Sequence, residues 1–293
     1  LGLTLTNLGR LAEARVQNER ALAMNVELHG PDSPSVAYHH DNIGAIDLGT
    51  GKIADARQHF ERALAIRQAA LAADHPDLGN SFNNVGLVLL QDEQLEPALV
   101  KLREAERIFA AGRGTDQEVG RAVMNEGEAL RGLGRLAEAH AAHLRALALW
   151  EGVLGKDHVD LSYPLGTLAE DALAARRPAE AITYLQRAIE VSQAALGADY
   201  PDYAYHERAL GEAYLALHQT ARAISAFEDA IRRLRADGGA NTDPAAVPAV
   251  QWLLAHALWE GGQKKRAIVE ASAARAAWAA APGTHIDELR EVD

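Results

Sequence analysis

Three asparagines, Asn42, Asn84 and Asn125, recur 42 and 41 residues apart. A primary amide donates to a carbonyl and accepts from an N–H, so a ladder of such groups can read a polypeptide backbone whatever its side chains. Histidines offer a second chemistry. His140 and His143 lie three residues apart on a helix, a spacing that can turn two imidazoles toward a metal ion. No third ligand accompanies them, and His143 takes a slot that Phe60 and Phe227 fill elsewhere in the chain, so it reads as a packed core histidine and no metal is expected. The pairs His39-His40, Asp74-His75 and Asp157-His158 read as helix starts, where a histidine or carboxylate caps free amides. Gly112-x-Gly114 has no Lys-Ser/Thr after it and is not a phosphate loop. There is no His-Glu-x-x-His, no Gly-x-Ser-x-Gly and no kinase catalytic loop. Carboxylates scattered over helix faces read as solvated surface. No catalytic residue, cofactor site or enzymatic activity is expected within these residues.

What positions the asparagines is a ruler of small residues. Ala14, Ala56, Ala98, Ala139, Ala181, Ala223 and Ala267 follow one another at steps of 42, 42, 41, 42, 42 and 44. Seven residues after each stands Ala21, Ala63, Ala105, Ala146, Ala188, Ala230 or Ala274, and twelve before each stands Gly2, Gly44, Gly86, Gly127, Ala169, Gly211 or Ala255. A period of this length is the signature of a repeat array, which builds an extended surface rather than an enclosed site. In the second unit, Ser33 caps and Pro34 opens a helix to about Leu48, Gly49-Thr50-Gly51 breaks it, and a second helix runs from about Ile53 to Leu71. Pro76, Pro201 and Pro244 open other first helices, Asp77, Asp160 and Asp202 favour the helix dipole there, and Gly30, Gly155, Gly197 and Gly238 close second helices. Two antiparallel helices joined by a short turn must cross closely. A small residue permits the crossing, while Phe60, Leu102, Leu185 and Phe227 fill the space beside it.

Composition narrows the function. With 48% apolar and 24% charged residues the 293-residue chain folds, and its alanine richness favours helix. A net charge of −12 argues against nucleic acid or an anionic membrane as the main partner. The absence of cysteine removes disulfide and thiolate chemistry and fits a cytoplasmic location. No apolar run reaches the roughly 18–20 residues of a membrane span. The chain opens inside a repeat, at Leu1-Gly2-Leu3, and reads as a piece of a longer polypeptide.

The register of a small residue, an alanine twelve residues on and a second alanine seven further resembles the tetratricopeptide repeat. Phe60-Glu-Arg-Ala-Leu-Ala-Ile-Arg, Asp74-His-Pro-Asp and Phe82-Asn-Asn-Val-Gly look like its 42-residue, kinesin-light-chain-like subtype. HEAT and armadillo units have a similar length but lack this register. The resemblance implies an all-α fold, a right-handed superhelical α-solenoid of about seven helix-turn-helix units. They would span 1–30 with a truncated first helix, 31–72, 73–114, 115–155, 156–197, 198–240 and 241–282, followed by a polar tail at 283–293. It also implies that the first helix of each unit lines a concave groove. The groove positions are then Tyr38, Asp41 and Asn42; Asn80, Asn83 and Asn84; Arg121, Met124, Asn125 and Glu128; Tyr163 and Glu170; Tyr205, Arg208 and Glu212; and Trp252, His256 and Trp259. In such arrays asparagines at the register of Asn42, Asn84 and Asn125 hold an extended peptide; exposed asparagine is also common there without a ligand. The implied function is a non-catalytic scaffold that binds a peptide or protein segment. Two alternatives stand beside it: a regulatory or sensor region of a larger signalling protein, since the array resembles those following bacterial Ser/Thr kinases, and a self-association module. The fourth unit, with His143, Glu126 and no opening proline, is expected to be less regular, and Trp252 or Trp259 could pack on the tail.

Overall fold

The computed structural model describes residues 10–197, 203–236 and 245–280. Gly2, Pro201, Asp202, Gly238, Pro244 and the tail lie outside them. Thirteen α-helices form, with no strand among the described residues. The chain divides into two compact units, Leu1–Val153 and Leu154–Asp293. The first holds α1 (Leu11–His29), α2 (Pro34–Gly49), α3 (Ile53–Ala70), α4 (Pro76–Gln91), α5 (Leu95–Ile108), α6 (Asp116–Gly132) and nearly all of α7 (Leu136–Leu154). The second holds α8 (Ser162–Ala174), α9 (Pro178–Leu196), α10 (Tyr203–Ala216), α11 (Thr220–Ala236), α12 (Ala246–Glu260) and α13 (Lys264–Ala280).

Within each unit helices pack on their chain neighbours, and alternate helices also touch: α2 with α4 and α4 with α6 in the first, α8 with α10 and α10 with α12 in the second. The hairpin crossings explain the ruler. A Cβ built at Gly44 would meet the Phe60 ring at 2.8 Å, one at Gly86 would meet Leu102 at 2.6 Å, and one at Gly211 would meet Phe227 at 2.5 Å. At Gly127 the neighbour is His143. Its side chain is fully buried and donates from Nε2 to the Met124 carbonyl at 3.2 Å, as a core histidine does. A second periodicity runs through the hairpin turns. The residues with positive φ are Gly51, Glu93, Gly134, Arg176, His218 and Gly262, one per turn. Three of the six carry a side chain in the left-handed region, which costs about 1 kcal/mol or more and is over-ridden by the hairpin packing.

Helix ends partly follow expectation. Pro34, Pro76 and Pro178 occupy first turns. His75 Nδ1 accepts from the Asp77 N–H at 3.1 Å and His158 Nδ1 from the Asp160 N–H at 3.2 Å, so both histidines cap. Gly30, Gly155 and Gly197 have φ of 82°, 86° and 84° at the ends of α1, α7 and α9. Two expectations fail. Ser33 stands before α2, but its hydroxyl turns to Ser35 Oγ at 3.0 Å and caps nothing. His39 and His40 lie inside α2 rather than at its start: His39 Nε2 lies 3.0 Å from the Asn25 amide and His40 Nδ1 lies 2.9 Å from His59 Nδ1. At the end of the third repeat α5 runs into a π turn over Phe109–Arg113, and at the start of the fourth a capping box replaces the missing proline. The Thr115 hydroxyl accepts from the Glu118 N–H at 3.2 Å, and the Glu118 carboxylate accepts from the Thr115 N–H at 2.8 Å.

The reading of carboxylates as solvated is corrected at several positions. Asp47, Asp171, Glu126 and Glu207 are buried. Asp47 accepts from Arg15 Nε of α1 at 2.8 Å, Glu126 from Arg103 Nε of α5 at 2.9 Å, and Glu207 takes Arg233 Nε of α11 at 2.9 Å on both oxygens. A charge removed from water is tolerated only with such a partner, so these pairs fix which helix lies against which. Burial pushes the Glu126 and Glu207 carboxyls up, and the facing arginines oppose it.

Candidate binding faces

In the first unit the predicted positions lie on α2, α4 and α6. Tyr38 is 51% exposed. Asp41 and Asn42 are half-buried one turn along the same helix. Asp41 pairs with Arg67 Nη1 at 2.5 Å and accepts from Asn84 Nδ2 at 3.2 Å. Burial pushes its carboxyl up, against the pull of Arg67. Arg67 is itself buried in α3, where it also donates to Ser81 Oγ of α4 at 2.5 Å. One helix further, Arg121 Nη2 donates to Asn80 Oδ1 at 2.7 Å and Asn125 Nδ2 to Asn83 Oδ1 at 2.9 Å. The amides are therefore bonded laterally from repeat to repeat within this unit. Asn83 is buried rather than groove-lining, its carbonyl serving Asn125. Met124, in the same register, is core. Glu128 pairs with Arg131 at 2.5 Å, and one of its oxygens lies 3.8 Å from His143 Nε2.

In the second unit Tyr163 of α8 and Tyr205 of α10 share one register and are 56% and 50% exposed. Arg208 Nη1 reaches Glu212 one turn on at 3.1 Å, and burial together with the charge of Glu170 raises the Glu212 carboxyl. Trp252 packs edge-on to Trp278 of α13 at 6.4 Å and to His256 at 5.2 Å. Trp259 stands 53% exposed.

Arg67 is not among the positions expected from the sequence, because it lies on a second helix, outside the groove register. The available signal was a charged residue one place after buried Ile66, on the packed side of α3. Lys264, with Nζ 5.0 Å from the centre of the Trp259 ring, is absent from those positions for the same reason. Among the described residues no three histidine or acidic side chains converge as a metal site, and no helix is long and apolar enough to cross a membrane.

The repeat register, the crossing pairs and the turn residues have a counterpart among known families. The profile of the tetratricopeptide repeat matches residues 1–69, 37–111, 119–194 and 162–236. The chain belongs to the tetratricopeptide-repeat family. No curated protein sequence matches it. Similar solved structures include BtubC (BKLC) from P. vanneervenii, at 19% identity and TM-score 0.69, covering 80% of this chain and 92% of that one. A kinesin light chain from Podosopora anserina with nearly identical TPR-like repeats is 20% identical at TM-score 0.59, covering 72% and 99%. The apo form of RapI is 16% identical at TM-score 0.68, covering 94% of each. At these identities the likeness is one of fold, and it includes kinesin-light-chain-like arrays. Tetratricopeptide arrays bind peptides or proteins, and this chain is accordingly a scaffold for protein–protein interaction.

Proposed function

We propose that the α2–α4–α6 face of this tetratricopeptide array holds an extended peptide by its backbone. The observation that carries the reading is the common register of Asn42, Asn84 and Asn125 on three successive first helices. An amide has two donors and two acceptor lone pairs. Asn84 and Asn125 each commit one N–H to the preceding repeat, which orients the side chain and leaves its carbonyl for a peptide N–H. Tyr38 on the same face supplies an aromatic anchor. The charges beside the amides are already paired, Asp41 with Arg67 and Glu128 with Arg131, so the face favours main chain over an acidic terminus. In the second unit Tyr163, Tyr205, Trp252 and Trp259, with Arg208 among them, present an aromatic and basic surface to a partner.

The test is the joint substitution Asn42→Ala, Asn84→Ala and Asn125→Ala, compared with the parent in pull-downs from the native host and in urea unfolding. Loss of partner recovery at an unchanged urea midpoint supports the clamp. Unchanged recovery, or a loss of stability alone, removes it and leaves the amides as staples between repeats.

A further inference from the structure

The last hairpin carries a recognition element of a different chemistry. Between α12 and α13 lies a cavity of 480 Å³ lined by Trp252, His256 and Trp259 on one side and by Ala267, Ile268 and Ala271 on the other, with Glu260 among its walls. Its volume is that of a site for a side chain or small ligand. Spacings of four and three along α12 put the three rings on one stripe. The Trp252 ring is held by Trp278 and His256, whereas Trp259 is half-exposed. The face of an indole attracts cations, and here it already does so: Lys264 places its ammonium 5.0 Å from the Trp259 ring centre. The alanine and isoleucine wall suits an alkyl stem and would not solvate a bare ion. The Glu260 carboxylate complements a positive head.

From these walls we propose that the cavity receives a lysine side chain of a bound protein segment. The stem lies along Ala267 and Ile268, and the ammonium sits among Trp252, Trp259 and Glu260. Lys264 is the internal competitor for the Trp259 ring. The proposal rests on the reading of the array as a scaffold for a partner segment but not on the asparagine ladder, which belongs to the other unit.

The probe is N-acetyl-lysine methylamide, titrated at constant ionic strength into the full chain while the indole N–H signals of Trp252 and Trp259 are followed by NMR, each assigned from its Trp→Phe variant. A single side chain gives a dissociation constant in the millimolar range. The expected result is a saturable shift of both signals. Glu260→Gln should weaken it about 2–5-fold, and Lys264→Met, which frees the ring, should strengthen it by a similar factor. Three results overturn the proposal: no shift up to about 50 mM probe, an equal shift by the Nε-acetylated probe, which would make the cavity a purely apolar groove, or weaker binding by Lys264→Met. The triple asparagine variant should bind the probe like the parent, so failure of the ladder and failure of the lysine site are read separately.

Discussion

Replacing Gly211 by alanine tests the size pairing that governs every hairpin. A Cβ there would stand 2.5, 2.7 and 2.7 Å from three carbons of the Phe227 ring. That ring is fully buried among residues of α10, α11 and α12 and cannot swing aside. Overpacking of this kind costs about 1–3 kcal/mol, and three short contacts on a rigid ring place it near the top of that range. Alanine in place of glycine inside a helix returns about 1 kcal/mol. The net loss for Gly211→Ala is therefore about 2 kcal/mol. The chain itself contains the remedy. Sixteen residues separate each small residue from its filler, and at the one place where alanine faces a large filler, Ala169, that filler is Leu185. Phe227→Leu alone should cost about 1 kcal/mol through lost volume, yet added to Gly211→Ala it should recover most of the overpacking, giving a coupling of about 1–2 kcal/mol. Gly152→Ala in α7, where nothing lies within 4 Å of the new Cβ, is the control and should stabilise slightly. Urea unfolding followed by far-UV circular dichroism reads all four variants, compared by midpoint at unchanged slope. A Gly211→Ala protein as stable as the parent, or additive losses in the double variant, would refute the size-pairing explanation of the ruler.

Three further outcomes are expected. Burial first, then the charges of His59, Arg62 and His39, pushes His40 down to about 4, so the fold holds it neutral while the unfolded chain takes a proton below about 6.5. The stability it contributes is complete above pH 6.5 and is lost as the pH falls from there toward 4. Discounted for the partial solvent exposure of the imidazole, this amounts at pH 5 to a loss of about 1 kcal/mol relative to pH 7, and His40→Phe should show a shallower acid loss by the same measurement. Removing Glu207 as alanine takes its carboxylate from partly buried Arg233, which keeps its place over the Tyr203 ring, and should cost about 2 kcal/mol; replacing both by Leu and Met should cost less in thermal or urea melts. Thr115→Ala deletes the side-chain half of the capping box and should cost about 1 kcal/mol, with hydrogen exchange rising in the first turn of α6.

What could be read beforehand divides along a physical line. Crossing distance is set by a residue's own size, so Gly44, Gly86 and Gly211 announced their packing against Phe60, Leu102 and Phe227 from spacing alone. Turn conformation was legible at Gly51, Gly134 and Gly262 but not at Glu93, Arg176 and His218, whose side chains do not by themselves favour positive φ; position in the repeat, not residue type, carries the information there. Buried charge was not legible at all. Whether Asp47 or Glu207 is tolerated inside depends on Arg15 and Arg233, 32 and 26 residues away on other helices. The candidate site falls between these cases. The register that aligns Asn42, Asn84 and Asn125 follows from the period, but the period also stacks residue i near residue i+42, so groups in neighbouring registers bond one another. Asn84 reaches Asp41 and Asn125 reaches Asn83 for that reason. Each such bond contributes about 1 kcal/mol to the stack, and a ligand that needed those donors would have to replace them. A peptide addressing the remaining carbonyls instead would keep both sets, and that is the form of recognition, compatible with the lateral bonds, that the proposed clamp uses.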